Sequence, residues 1–284
     1  MDKVKWAELF PAEFLKRREE KPVVFLPLGL CEPHGHIAVL GLDLLKAEFI
    51  CEQAAIKYGG VVAPSTGYQI HESGFHAPWL EEMVGNQWPF MTSMPPHIML
   101  YFFLYQLRSF HNAGFELAIV ISGHSGGNQR DYRLAAEIFM QYSPMQVLVF
   151  ADNELVKDEH PGDHAGKYEI SQLQFIDKDM VNMKNLDEVN TSKLGRFAQG
   201  MDAAEASAEY GKKLLELTLE SIGEYLNKIE PQTNFNNDIM SYATVENMWN
   251  LLVKKKHEWQ SLHLRPGQEP CSSSSVWKQF ESEG

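Results

Sequence analysis

Short apolar runs alternate with longer runs at helical spacing along this chain, and glycines mark most of the joins. That alternation restricts the fold more than any other feature. Val23–Leu28, introduced by Pro22, reads as a buried strand ending in a glycine loop. Leu42–Tyr58 has helical spacing and stops at Gly59-Gly60. Val61–Ala63 is a second strand, and Pro96–Asn112 a helix closing at Gly114. Glu116–Ser122 is a third strand, followed by a glycine loop and a helix to about Tyr142. Val147–Phe150 is a fourth strand, and Asp202–Lys228 reads as a long helix. Strands separated by helices predict a single α/β domain with a largely parallel sheet flanked by helices. In such sheets ligands bind in the loops beyond the carboxyl ends of the strands. The stretch from Pro64 to Pro95 has no clear period, and loops of that length in compact domains line functional sites. The domain is expected over residues 1–265, with 266–284 as a serine-rich extension that is loosely held. Trp277 and Phe280 are the residues that would dock that tail, on a neighbour or on the domain itself.

Composition narrows the function classes. The 284 residues carry 25 basic and 38 acidic side chains, a net charge of −13 with neutral histidines. That sign argues against nucleic acid and against an anionic membrane surface as partners. The first ten residues contain no signal-peptide core, and no run reaches the ~20 apolar residues of a membrane helix. Cys31, Cys51 and Cys271 are odd in number and widely spaced, with no disulfide framework or CxxC pair. A reducing, cytoplasmic location is expected. The 11 histidines, several beside carboxylates and glycines, first suggest metal chemistry.

Three clusters carry that suggestion. After the first strand comes Gly29-Leu30-Cys31-Glu32-Pro33-His34-Gly35-His36, then Gly41-Leu42-Asp43 at the start of a helix. Two carboxylates and an imidazole on one strand–loop–helix unit can converge on a divalent ion. The plainer alternative is that Asp43 caps a helix and Glu32 and His34 are polar loop residues. After the third strand comes Ser122-Gly123-His124-Ser125-Gly126-Gly127-Asn128, where His124 can point into the same crevice. A phosphate-cradling loop is the competing idea, without the Gly-Lys-Ser/Thr ending of a P-loop. The third cluster is Asp163-His164-Ala165-Gly166-Lys167-Tyr168-Glu169, which taken alone reads as a surface turn. Together, Glu32, His34, Asp43, His124 and Glu169 suit two dications of the Zn or Mn kind with one bridging carboxylate. A water between such ions is activated near neutral pH, and His164 is left to move a proton to a leaving nitrogen.

With these motifs in view, the chain resembles the creatininase (creatinine amidohydrolase) family. That family has Glu, one residue, His-Gly, then Gly-Thr-Asp with the Asp eleven positions after the Glu, as Glu32, His34-Gly35 and Gly41-Leu42-Asp43 stand here. Its Asn-Gly-His-Gly-Gly-Asn is similar to Ser122–Asn128, and its His-Ala-Gly/Ser-x-x-Glu matches His164–Glu169. Gly74-Phe75-His76 lies near a further family histidine, and the match runs from about Pro22 to Leu226. Pro33, Leu30-Cys31 and the inserted Ser125 depart from the family pattern, as do His36, one place early, and Gly126, where creatininase has a liganding Glu.

The resemblance implies a creatininase-like fold and metal or metal-proximal roles for Glu32, His34, Asp43, His124 and Glu169, with Asp43 as the bridge. It implies that His164 assists opening of a cyclic amide. The expected activity is hydrolysis of a non-peptide C–N bond by a metal-activated water, creatinine to creatine being the first candidate. Formamide hydrolysis of a pyrimidine intermediate and trimming of a small modified peptide are alternatives within the class. A metal-binding protein without turnover and a nucleotide-binding regulator built on Gly126-Gly127 are the alternatives outside it. The partner expected is a small-molecule substrate, and the assembly expected by resemblance is a homo-oligomer. Trp79, Trp88, Phe75 and Phe90 are candidates to wall a planar substrate.

Overall fold

A computed structural model describes residues 3–126, 128–229 and 238–282. Six strands are present among these: β1 (Val23–Leu28), β2 (Val61–Val62), β3 (Gln69–Ile70), β4 (Ser93–Met94), β5 (Leu117–Ser122) and β6 (Gln146–Ala151). The helices are α1 (Pro11–Glu20), α2 (Leu42–Tyr58), α3 (His76–Val84), α4 (Pro96–Asn112), α5 (Gln129–Phe139), α6 (Lys167–Ile176), α7 (Ala208–Lys228) and α8 (Tyr242–Lys254). The main sheet has the order β2-β1-β5-β6, with every pairing parallel. The fold is the expected α/β arrangement.

Alternation along the strands explains the two layers. Val24, Leu26 and Leu28 point to one face of the sheet, where α4, α5 and α8 supply Phe103, Leu104, Ala135, Phe139, Met248 and Leu252. Val23 and Phe25 point to the other, where Ile50 and Ala54 of α2 meet Leu215 and Ile222 of α7. A strand buried on both sides has no polar face, which is why β1 and β5 read as continuous apolar runs.

The strand order also places the site. The chain steps outward from β1 to β2, then returns across β1 to form β5 on its other side. Connections therefore leave β1 and β5 in opposite directions, opening a crevice at their carboxyl ends. The loops after these two strands carry the first two clusters. Gly29 and Gly123 let the start of α2 close on both strand ends. A Cβ on Gly29 would lie 2.5 Å from Leu44 Cα, and one on Gly123 2.8 Å from the Asp43 carbonyl carbon. Both distances are shorter than carbon atoms tolerate, so glycine is required for Asp43 to sit between the loops.

Several expectations are corrected. The stretch from Pro64 to Pro95 is not a plain loop: it holds α3 and the small parallel pair β3–β4. The long helix starts at Ala208, not Asp202, because Ser207 caps it by accepting the Tyr210 N–H (3.2 Å). The helices α1, α6 and α8 were not anticipated. In place of a surface turn, residues 163–169 lead into α6, with Glu169 buried in its first turn. The serine-rich tail is not loosely held: Trp277 is 5% exposed, packs with Ala77, Leu80 and Val84 of α3, and donates its indole N–H to the Gly85 carbonyl (2.6 Å).

Candidate metal centre

Asp43 lies at the middle of the site. It is the second residue of α2 and 1% exposed. Its Oδ1 is 3.2 Å from His34 Nε2, and its Oδ2 is 3.5 Å from His124 Nδ1. The loop after β1 folds back through a bond from the Glu32 N–H to the Leu40 carbonyl (3.0 Å). This brings Glu32 Oε1 to 2.7 Å from His124 Nδ1. His34 Nδ1 is 3.0 Å from the Glu32 carbonyl, so the other ring nitrogen faces inward. That nitrogen also lies 3.5 Å from Glu169 Oε2, which α6 projects from the opposite wall. Glu32, His34, Asp43, His124 and Glu169 thus share one buried crevice, in two sets around the two oxygens of Asp43. Glu32, Asp43 and His124 form one set, and His34, Asp43 and Glu169 the other.

The charge state of these groups follows from their burial and pairing. Burial opposes charge on His34, but Asp43 and Glu169 outweigh it and hold the imidazole pKa well above its usual value. Burial also opposes charge on His124, yet Glu32 and Asp43 raise it to about 10. Glu169 is pushed up by burial and pulled further down by Lys46 and His34, to about 2. Two buried carboxylate oxygens, Glu32 Oε2 and Asp43 Oδ2, have no hydrogen-bond partner among the described residues. An unpartnered carboxylate oxygen costs several kcal/mol when buried, and a cation relieves that cost. The donor set, three carboxylates and two imidazoles, fits dications of intermediate hardness.

Several residues escaped the sequence reading. Lys46, on the Asp43 face of α2, is fully buried with Nζ 3.0 Å from Glu169 Oε1 and 3.1 Å from Asp152 Oδ2. Asp152 follows β6 and accepts from the Tyr168 hydroxyl (2.8 Å). Burial lifts its pKa to about 6 against the pull of Lys46. The signal was available: a lysine three residues after Asp43 inside an apolar helix, and an acid at the carboxyl end of a strand. His71 was also missed. Its Nδ1 accepts the Glu72 N–H (2.8 Å), which leaves the proton on Nε2, 3.5 Å from Glu32 Oε2. Glu72 adopts φ 69° at this step.

His164 stacks on His34, with ring centroids 4.6 Å apart, and Trp79 meets it edge-on at 4.9 Å. Its Nε2 is 2.8 Å from the Pro33 carbonyl, so Nδ1 is the nitrogen left to handle a proton. His76 opens α3 and lines the same cavity, with neither ring nitrogen partnered among the described residues. The cavity measures about 280 Å³ and is walled by Phe75, Trp79, His71, His124, His164 and Arg265. His36 turns away, its Nε2 2.8 Å from the Gly195 carbonyl. Trp88 is 81% exposed and Phe90 54% exposed, and neither lines this cavity. Gly127 lies outside the described residues, so the loop proposed for nucleotide binding is described only in part.

The model of the creatininase family, described as creatinine amidohydrolase, matches residues 7–226. The chain belongs to the creatininase family. A creatinine amidohydrolase of Pseudomonas putida is 22% identical over 245 residues, covering 74% of this chain and 91% of that protein. The crystal structure of a creatinine amidohydrolase (creatininase) superposes with a TM-score of 0.65 at 21% identity, over 82% of this chain and all of the other. An Mn creatininase aligns with a TM-score of 0.64 at 22% identity, over 81% of this chain and 100% of its own. A creatininase variant of Zn–Zn type aligns at 0.65 and 21%, over 82% and 100%. At these identities the likeness establishes the creatininase fold. No helix among the described residues is long and apolar enough to cross a membrane.

Proposed function

We propose that this creatininase-family protein is a metal-dependent amidohydrolase acting on a non-peptide C–N bond of a small substrate. The observation that carries the reading is Asp43, whose two oxygens face two different imidazoles within a buried ring of carboxylates. Glu32, Asp43 and His124 would hold one dication, and His34, Asp43 and Glu169 a second, with Asp43 shared. Bound Zn or Mn would supply Lewis-acid activation of water and of the substrate carbonyl. The chain's own residues do the rest. Lys46 and the Ala165 N–H (2.9 Å from Glu169 Oε2) fix the Glu169 carboxylate. His34 stacks on the His164 ring and Trp79 meets it edge-on, which restrains its orientation. His164 delivers the proton to the departing nitrogen as the C–N bond opens. Phe75 and Trp79 wall the cavity and limit access of bulk water.

Creatinine, opened to creatine, is the first substrate to test, followed by formamides and small cyclic amides. Metal analysis of purified protein should find one to two equivalents of Zn or Mn per chain. Asp43→Asn should lower the metal content and reduce hydrolysis by about a hundredfold or more. Full metal content with no turnover of any amide tested would leave a metal-binding protein without catalysis. We also infer a homo-oligomer from the family resemblance, and a 32 kDa species in light scattering would refute it. The free thiols of Cys31, Cys51 and Cys271 support a reducing, cytoplasmic setting.

A further inference from the structure

The family match ends at residue 226, yet residues well beyond it build part of the cavity rim. This later segment is tied down firmly. Asp131 of α5 accepts the N–H groups of Gln260 (2.7 Å) and Ser261 (3.0 Å). The Ser73 hydroxyl, in the loop between His71 and His76, donates to the Ser261 carbonyl (2.9 Å). The chain then turns through Arg265-Pro266-Gly267-Gln268 at the cavity mouth. Pro266 presets the first turn residue, Gly267 has φ +78°, and the Gln268 N–H donates to the Arg265 carbonyl (2.9 Å). Those features define a type II turn, which is stiff before any ligand arrives. The Gln268 side chain locks it further, accepting the Arg265 N–H (3.0 Å) and donating to the Phe75 carbonyl (2.8 Å).

Arg265 is therefore presented on a fixed backbone, and its side chain is held as well. The guanidinium carbon lies 4.4 Å from the centre of the Phe75 ring, and Nη2 donates to the Gly126 carbonyl (3.2 Å). One donor atom is engaged and the rest of the guanidinium edge remains for a ligand. Among the described residues only Arg18 and Arg133 pair with carboxylates; of the arginines without an acidic partner, Arg265 is the one that lines the cavity. In a chain of net charge −13, a preorganised arginine without an acid, on the rim of a small-molecule cavity, is a recognition element.

We infer that Arg265 selects an anionic substrate: a small amide that places its scissile carbonyl at the Asp43 cluster and a carboxylate of the same molecule on the guanidinium. This rests on the hydrolase reading above and narrows it. Water adds across the C–N bond, the acyl carbon gains the oxygen and the nitrogen gains a proton, while the carboxylate on Arg265 takes no part in the chemistry. Creatinine carries no anionic group and would leave Arg265 unused.

The test uses the full chain loaded with Mn²⁺ and a pair of lactams matched except for one carboxylate, 5-oxoproline and 2-pyrrolidinone. Calorimetric titration should show the carboxylated lactam binding at least about tenfold more tightly. Arg265→Gln should abolish that preference, bringing the affinity for 5-oxoproline down to that for 2-pyrrolidinone in the same variant, which separates the arginine from direct carboxylate–metal contact. Raising the salt concentration should erode the preference in the unaltered protein, an arm independent of whether the variant folds. Equal binding of the two lactams, binding of neither, or a preference that survives Arg265→Gln overturns the inference. Preferential binding without hydrolysis of either lactam upholds Arg265 and counts against the hydrolase reading alone.

Discussion

Asp43 and Lys46 stand one helical turn apart on α2, so a single face of one helix brings an anion and a cation into the site. Lys46 is the more informative of the two. It is a cation with no access to solvent, balanced by Glu169 and Asp152. Replacing it by Met removes the cation shared by two buried carboxylates and leaves Glu169 with His34 and the Ala165 N–H and Asp152 with the Tyr168 hydroxyl, at a cost of about 3–5 kcal/mol, measurable by urea unfolding. Adding metal should recover part of that loss, because a cation beside Glu169 neutralises it again. The imidazoles make a second prediction. His124 is held to about 10 and His34 well above its usual value, so both keep a proton at pH 7 in the metal-free protein. A metal takes the neutral ring, so uptake must release about one to two protons. The measured binding enthalpy should then vary with the ionisation enthalpy of the buffer, and affinity should rise with pH from neutrality towards 10. An enthalpy independent of the buffer would show that neither ring gives up a proton when metal binds.

Elements meet at this site through two glycines. Gly123 ends β5 against the backbone of Asp43, and there is no room for a methyl group between them. Gly123→Ala should push the start of α2 away from β5. The expected loss is about 1–3 kcal/mol in thermal unfolding, with weaker metal binding from displacement of Asp43. Unchanged melting and metal content would mean that the two elements are not pressed together as described. The four strands of the main sheet and α2 were legible in the sequence because their apolar pattern is local, whereas the two-residue strands β3 and β4 were too short to show one. The helix α3 was not, since its nine residues include Pro78 and Trp79 and follow a tight turn at Ser73-Gly74. It packs against Phe197 and against Cys271 and Trp277 of the tail, contacts no local pattern reports. The helix α6 was missed for a related reason: Asp163 accepts the Tyr168 N–H (2.7 Å) from five residues away, so its start looked like a surface turn.

Across the whole molecule, the C-terminal tail is the part whose role changed most between sequence and fold. Trp277 fills a pocket of Ala77, Leu80 and Val84 on α3 and so supports the helix that carries His76 and Trp79. Trp277→Ala should cost about 3 kcal/mol or more and raise amide exchange in α3 ahead of β1 and β5. Uniform protection across the chain would show that the tail does not brace the site. The boundary at 265/266 accordingly falls within the turn at the cavity rim, and we propose it only as the start of an extension, not of a separable unit.

Taken alone, the sequence determined the layered α/β class, the strand-end loops and the residue types of the cluster. Those depend on period, glycine placement and short spacings, which the chain displays along its own length. Tertiary structure alone decided which groups surround the cluster. Lys46 meets Glu169 across 123 positions, and Arg265 reaches Gly126 across 139. Such contacts carry no periodic signature, because they exist only once packing of the two sheet faces has closed the crevice that each residue enters from a different element.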